Sequence, residues 1–246
     1  MLLIDIGNSW LKSAYFQDEV LHHICPVETS DFRGDRKVDW SLPEKKMLSP
    51  KKILVSSVAS DQVNEKCSKM LLSQLEIEPH FVQVQKTFKG MTTLYATNRL
   101  GVDRWLASLA AWSKYKKNLI VVDAGTAITV DFINYTGTHL GGLITPGPTI
   151  LGNALAGGTA HLPVVSRGEA KMIVPTDTEE AIGIGLDTLL LGFMNQVKAE
   201  CSQIYDSDPL WVLTGGAANT ISAGIKWPHF NEQNLVLDGL KIFAID

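Results

Sequence analysis

The stretch LLIDIGNS (residues 2–9) and its echo LIVVDAGTA (residues 119–127) decide the fold. In each, an apolar, β-rich run ends in Asp-x-Gly followed by small or polar residues: Asp5, Gly7, Asn8 and Ser9 in the first, Asp123, Gly125 and Thr126 in the second. A second apolar run follows both turns, at residues 14–16 and 128–133. Two matching strand–turn–strand units about half a chain apart point to a duplicated domain with one ligand held between the halves.

The chemistry of such a turn suits phosphate. Glycine accepts a positive φ and lets a ligand approach where a Cβ would block it, so Gly7 and Gly125 are expected at positive φ. Successive N–H groups form a concave anion site, to which Asn8, Ser9 and Thr126 add side-chain donors. An aspartate repels phosphate and is better employed holding a cation that bridges to it, usually Mg²⁺. A single Asp-x-Gly would read as an ordinary hairpin turn, because Asp and Gly are common turn residues. The repetition argues against that bland reading.

Composition narrows the class. A chain of 246 residues can form one large or two modest domains. The formal net charge of -4 argues against a nucleic-acid surface, and the lysine groups at 45, 46, 51, 52 and at 114, 116, 117 read as solvated edges. Cys25, Cys67 and Cys201 are scattered without C-x-x-C spacing, which fits a reduced cytosol better than disulfides or zinc. The start lacks the basic segment of a signal peptide, and no apolar run is long enough to cross a bilayer. The expectation is a soluble, cytoplasmic protein without nucleic-acid or membrane partners.

Strand-like and helix-like segments alternate along both halves, which predicts an α/β fold. A buried-type strand is expected at 53–58, a helix at 61–75 and a short strand at 81–84. An amphipathic helix is expected at 102–115, with Trp105, Leu106, Leu109 and Trp112 on one face. In the second half a strand near His139 leads into Gly141, Gly142, Leu143, Ile144, Thr145, Pro146, Gly147 and Pro148. Pro148 suits the first turn of a helix to about residue 156. A helix over 179–200 opens beside Asp177 and Thr178, residue types suited to N-capping. A strand at 210–214 ends in Gly215 and Gly216 before a short helix to about residue 225, and residues 235–240 read as a closing turn and strand. The expected boundary falls after residue 117, giving domains 1–117 and 118–246.

Two further segments carry chemistry. Thr214, Gly215 and Gly216 would let backbone lie flat against a nucleotide, a meaning they gain only beside the two phosphate turns. Gly101, Val102, Asp103 and Arg104 open the 102–115 helix. Asp103 there is either an exposed first-turn acid complementing the helix dipole or a base for a substrate hydroxyl. First-turn placement should make it a weak base, which phosphoryl transfer tolerates because its loose transition state needs orientation more than strong deprotonation. Arg104 would then hold a carboxylate or developing phosphoryl charge. Neither G-x-x-x-x-G-K-[ST] nor a strand-borne G-x-G-x-x-G occurs, which excludes P-loop and Rossmann readings.

Taken together and in order, Asp5-x-Gly7-Asn8-Ser9, Gly101-Val102-Asp103-Arg104, Asp123-Ala124-Gly125-Thr126-Ala127, Gly141-Gly142-x-Ile144-x-Pro146-Gly147 and Thr214-Gly215-Gly216 resemble the type III pantothenate kinases. These belong to the acetate and sugar kinase, Hsp70 and actin superfamily. The resemblance implies two similar actin-like, ribonuclease H-like domains with a nucleotide cleft between them, and ATP-dependent phosphorylation of pantothenate to 4'-phosphopantothenate, the first step of coenzyme A biosynthesis. By position it implies that Asp5, Ile6, Gly7, Asn8, Ser9, Trp10, Leu11, Lys12 and Thr126 contact ATP. Asp103 would accept the proton, and Asp123 would bind a monovalent cation, K⁺ or NH₄⁺, alongside the Mg²⁺ that accompanies ATP. Tyr95, Gly101, Val102, Asp103, Arg104 and Thr178 would line the pantothenate site. A homodimer is implied too. Two alternatives are a non-catalytic regulator of the kind labelled Bvg accessory factor and a kinase acting on acetate or a sugar. Retention of Asp5, Asp103, Arg104 and Asp123 disfavours the first, and the short chain with Gly-x-Asp-Arg at a helix start disfavours the second.

Overall fold

The computed structural model describes residues 1–29, 50–165 and 174–245. Most of the polar stretch expected at 28–52, including Lys45 and Lys46, lies outside the described residues, as does the side chain of Cys25. The chain forms two compact units, one of residues 1–89, 95–113 and 234–246, the other of residues 90–94 and 114–233.

The first unit is built on β1 (Leu2–Ile6), β2 (Trp10–Gln17), β3 (Val20–Glu28), β4 (Ile53–Ser57) and β5 (His80–Phe81), with a two-residue β6 (Thr87–Phe88) beyond. Its sheet runs β3-β2-β1-β4-β5, with β1 antiparallel to β2 and parallel to β4. β1 sits between two neighbours and is covered on both faces, which is why it reads as an unbroken apolar run around Asp5. Helix α1 (Asp61–Leu75) buries Val63, Cys67 and Leu71, an i, i+4, i+8 stripe, and ends at left-handed Glu76, whose N–H donates to the Leu72 carbonyl at 3.0 Å. Each fully buried aliphatic side chain of this layer contributes on the order of 2 kcal/mol.

The second unit repeats that plan. After β7 (Met91–Thr93) come β8 (Leu119–Ala124), β9 (Ala127–Ile133), β10 (Thr138–Pro146), β11 (Leu210–Thr214) and β12 (His229–Asn231). Their order is β12-β11-β8-β9-β10-β7. β8 is antiparallel to β9 and parallel to β11, and β9 is antiparallel to β10. Taking β8 as the counterpart of β1, the arrangement third-second-first-fourth-fifth and the sense of every pairing match the first unit. The duplication expected from the doubled phrase is therefore present in the strand topology. The helices of this unit are α3 (Pro148–Gly157), α4 (Thr178–Ile204) and α5 (Ala218–Gly224). α4 and α5 cover one face of the sheet, burying Leu190, Met194, Val197 and Ile221 with Ile120, Val122, Val130, Trp211 and Leu213.

Several local expectations are corrected. The tail is helix α6 (Leu235–Ala244), not a turn and strand; it packs on β1, β4 and β2 and belongs with the first unit. Its Asp238-Gly239 pair mimics a turn, yet Gly239 serves close packing: a Cβ there would collide with the Leu106 carbonyl of α2 (Val102–Tyr115). α2 is also less amphipathic than expected, because Ala107, Ser108, Ala110 and Ala111 are buried along with its large apolar residues. The strand expected at 81–84 is only His80–Phe81, and the glycine-rich passage as far as Pro146 is part of β10, with a register shift between His139 and Gly141.

A buried polar relay, missed in the sequence, ties three strands of the second unit. Asp131 Oδ1 on β9 lies 2.7 Å from Nε2 of His139 on β10, and Nδ1 of the same ring lies 3.0 Å from Thr93 Oγ1 on β7. Cys67 and Cys201 are free and buried, and burial pushes the Cys67 thiol up to about 12, so it is an inert core residue.

Candidate functional site

The first Asp-x-Gly turn joins β1 to β2. Asp5 pairs in register with Lys12 across the hairpin and with Ser56 on β4, which places its carboxylate at the carboxyl end of the central strand. The turn closes through the Gly7 N–H donating to the Trp10 carbonyl at 2.9 Å. Asn8 and Trp10 are exposed, and Ser9 and Lys12 are half-buried. Ile6 and Leu11 belong to the core, so any contact they make with a ligand is through backbone.

A residue the sequence reading overlooked fastens this turn. Thr29, fully buried just after β3, donates its backbone N–H to the Ser9 carbonyl at 2.8 Å and its hydroxyl to the Gly7 carbonyl at 2.9 Å. These two loop carbonyls are thus committed to Thr29. The loop N–H groups other than that of Gly7 are left as the face suited to anions.

The second turn joins β8 to β9 and is one residue shorter: three residues separate the paired Ala124 and Ile128, against four between Ile6 and Leu11. It is fastened in the same way. Gly147, the residue after β10 as Thr29 is the residue after β3, donates its N–H to the Thr126 carbonyl at 3.0 Å. Here no side chain fits, since a Cβ on Gly147 would lie 2.5 Å from that carbonyl oxygen and 2.7 Å from that of Gly125. This is the physical reason for the glycine in the Pro146-Gly147 pair.

Gly7 and Gly125 are not at positive φ, contrary to expectation; the left-handed glycine of the site is Gly215, with φ 89°. Thr214 pairs in register with Asp123, so Gly215 follows directly beside the Asp123–Ala124 backbone. The structure therefore gathers Asp123, Thr126, Gly147, Thr214 and Gly215 at the carboxyl ends of β8 and β11. Among the described residues no group of three or more His, Cys, Asp or Glu is placed to hold a metal ion. A cation at Asp123 would take its remaining oxygens from carbonyls, hydroxyls, water or phosphate.

The third cluster lies at the start of α2, in the first unit. The Trp105 N–H donates to the Gly101 carbonyl at 3.1 Å, closing the first helical turn. The Arg104 N–H donates to Asp103 Oδ1 at 2.7 Å, fixing the carboxylate at the helix N-terminus. Arg104 is buried, only 7% exposed. Its guanidinium carbon stands 5.5 Å from the centre of the Tyr95 ring, a cation–π contact that orients the donor fork. Val58, whose N–H donates to the Ile6 carbonyl, carries a methyl group 3.7 Å from where a Cβ on Gly101 would be, so this helix start sits by the end of β1. Thr178 belongs to the second unit, exposed at the first position of α4, behind the N-cap Asp177 that accepts from Glu179 and Glu180 N–H groups at 2.9 and 3.1 Å.

The chain is similar in structure to a Campylobacter jejuni protein described as a Baf family transcriptional activator (TM-score 0.58, 22% identity, covering 100% of this chain and 98% of that one). It is also similar to a Sinorhizobium meliloti protein described as a 2-dehydro-3-deoxygalactonokinase (TM-score 0.59, 11% identity, 99% and 97% covered). With the doubled sheet, these likenesses define an α/β fold of two similar sheet-and-helix units. In sequence, a family model described as type III pantothenate kinase matches residues 1–200. A type III pantothenate kinase of Nitrosomonas eutropha is 34% identical over 253 residues, covering 99% of this chain and 94% of its own length. One from Alcanivorax borkumensis is 31% identical over 250 residues, with 99% and 98% covered. The chain belongs to the type III pantothenate kinase family.

Proposed function

We propose that this chain transfers the γ-phosphoryl group of ATP to the primary hydroxyl of pantothenate, giving 4'-phosphopantothenate and ADP at the entry to coenzyme A synthesis. Family membership supplies the reaction. The observation that carries it to these residues is the pair of Asp-x-Gly turns, each at the end of a central strand and each fastened by the N–H of the residue after the third strand.

In this reading the loop of residues 5–12 receives the phosphates, through those N–H groups that strand pairing and the Gly7–Trp10 bond leave open and through Asn8, Ser9 and Lys12, and Thr126 adds a hydroxyl. Asp5 faces the Mg²⁺ that accompanies ATP, a hard ion that neutralises charge on the phosphate oxygens. Asp103 takes the proton of the attacking hydroxyl as the new phosphorus–oxygen bond forms and the bond to ADP breaks. Its carboxylate is held by the Arg104 N–H, so orientation rather than basicity is its contribution. Arg104, steadied by Tyr95, binds the pantothenate carboxylate with Gly101 and Val102 beside it, and Thr178 is proposed as a further pantothenate contact. Asp123 holds K⁺ or NH₄⁺: one carboxylate amid carbonyl and hydroxyl oxygens suits a singly charged ion better than a divalent one. Two domains divided near residue 117, apart from the returning α6, remain the functional halves of this scheme.

A homodimer is part of the proposal. Leu143 and Ile144 on β10, Ile150 and Leu155 on α3 and Leu189 on α4 are exposed apolar residues of the second unit, with Ile144 64% and Leu189 63% accessible. α3 packs on both β10 and α4, so these residues lie on adjoining elements, an apolar surface suited to a second copy. Among the described residues no helix is long and apolar enough to cross a membrane, and a cytoplasmic enzyme is the reading. The test is a coupled assay of purified protein with pantothenate, ATP and Mg²⁺, with and without K⁺ or NH₄⁺. Turnover that depends on pantothenate and the monovalent cation is expected; no turnover with any cation overturns the proposal.

A further inference from the structure

A cavity of about 440 Å³ opens in the second unit at the starting ends of β8 and β11, its wall including Lys116, Lys117, Lys198, Tyr135, Trp211 and Trp227. Leu210 pairs with Leu119 at that end of the two strands, and Thr214 with Asp123 at the other. Four residue steps of strand put the ends ~13 Å apart. The cavity therefore shares no residue with the turns and helix start described above. Its size falls within the range of small-molecule sites, roughly 300–1,000 Å³.

Its charge runs against that of the chain. Three ammonium groups line it against one carboxylate, Asp208, in a protein of formal net charge -4. Lys198 Nζ bonds Asp208 Oδ1 at 2.7 Å at the rim. Lys116 occupies left-handed backbone with φ 51°, uncommon for a residue with a Cβ, and partial burial lowers its ammonium below the usual lysine value. An anion beside it would offset that desolvation.

The apolar wall points the same way. The Trp211 and Trp227 rings lie 5.1 Å apart at 56°, and the indole N–H of each is buried without a hydrogen-bond acceptor. Trp211 is fully buried and backs this wall, while Trp227 is half-buried and Tyr135 exposed, so the latter two rings offer surface to the cavity. Aromatic faces beside ammonium groups match a ligand that joins a flat ring to a multiply charged oxyanion.

We propose that this cavity binds a small aromatic phosphate ester, its phosphoryl oxygens held by Lys116, Lys117 and Lys198 and its ring against Trp227 and Tyr135. The assignment is independent of the kinase reading.

The chain has six tryptophans, so ¹⁵N-labelled full-length protein offers six indole N–H signals, and Trp211→Phe and Trp227→Phe identify two of them. On titration with phenyl phosphate those two signals should move saturably, while inorganic phosphate should bind more weakly. The variant Lys116→Asn/Lys117→Ala/Lys198→Ala keeps a residue tolerant of left-handed backbone at 116 and should retain the unliganded spectrum. It should weaken phenyl phosphate by at least about tenfold, as expected on losing hydrogen bonds from charged donors. Asp123→Asn should leave the titration unchanged, separating this cavity from the ATP site. The proposal is overturned if neither indole moves, if the lysine variant binds undiminished, if Asp123→Asn abolishes the shifts, or if inorganic phosphate binds as tightly as phenyl phosphate.

Discussion

Gly215 lies against Asp123 so closely that a Cβ on it would stand 2.5 Å from the Asp123 Oδ1 and 2.6 Å from the carbonyl carbon of Ala124. The equivalent strand end in the first unit has no such glycine: β4 runs on through Ser57 to Val58, which donates to the Ile6 carbonyl. In the second unit the corresponding bond, at 2.9 Å, comes from Ala217, two residues past Gly215. Two copies of one hairpin have thus diverged at the strand beside them. The extra glycine turn surrounds the aspartate proposed to hold the monovalent cation.

Gly215→Ala should consequently be severe where Gly216→Ala is mild. At φ 89° an L-residue costs roughly 1–2 kcal/mol, and the clash with backbone adds to it. A Cβ on Gly216 meets nothing within 4 Å. Thermal unfolding should show Gly215→Ala at least about 2 kcal/mol less stable and its dependence on K⁺ or NH₄⁺ weakened, with Gly216→Ala close to the parent. Similar behaviour of the two variants would contradict the packing argument.

Thr29 offers a test of the first turn. Thr29→Val removes the hydroxyl bond to the Gly7 carbonyl and leaves the backbone bond to Ser9, whereas Thr29→Ser keeps both. One buried hydrogen bond is worth about 1 kcal/mol, so KM for ATP should rise about fivefold in the valine variant with kcat little altered. The serine variant should recover most of the loss. An unchanged KM in Thr29→Val would remove Thr29 as a positioning residue.

What the sequence made legible and what it concealed differ in physical kind. The doubled phrase and the helices Asp61–Leu75 and Val102–Tyr115 depend on local periodicity and end signals, which neighbouring residues carry. The fastening of each turn by Thr29 and Gly147 depends on where the third strand returns, and nothing local to Thr29 shows it. Positive φ was expected at the motif glycines and occurs instead at Gly215, because the turns close by hydrogen bonding at Gly7 and Gly125 while strand β11 must bend away from Asp123. Asp238-Gly239 looked like a turn for the same reason: a glycine chosen for contact with Leu106 carries no local mark of that purpose. The burial of Arg104 was equally hidden, since it requires the Tyr95 ring, which reaches it from outside its helix.

Asp103 should separate chemistry from nucleotide binding. Asp103→Asn preserves shape and can still accept the Arg104 N–H through its amide oxygen, yet cannot take a proton. A fall in kcat of about 10²–10⁴ is expected, the usual contribution of a general base, with ATP affinity measured by calorimetry retained. Equal loss of ATP binding would place Asp103 in the nucleotide site instead.

Stability should carry a pH signature from Glu232. Burial opposes its ionisation, but hydrogen bonds from Lys114 and Tyr115, each 2.5 Å to Oε1, and the Lys114 charge together hold its carboxyl below the ordinary value of 4.5. A carboxyl whose folded pKa is depressed binds more protons when unfolded, so its stabilisation is complete above the unfolded pKa and vanishes as pH falls through the folded one. Lys114 is raised above 10.5, chiefly by its hydrogen bond to Glu232, and so contributes below that value and loses its contribution as pH climbs through the raised one. Glu232→Gln should therefore be less stable than the parent in urea at neutral pH, and the two curves should converge as pH drops well below 4.5. Lys114 is more than half exposed, so salt should shrink the difference at neutral pH. A gap that stays constant from neutral pH into strong acid would show that Glu232 acts by packing and not by charge.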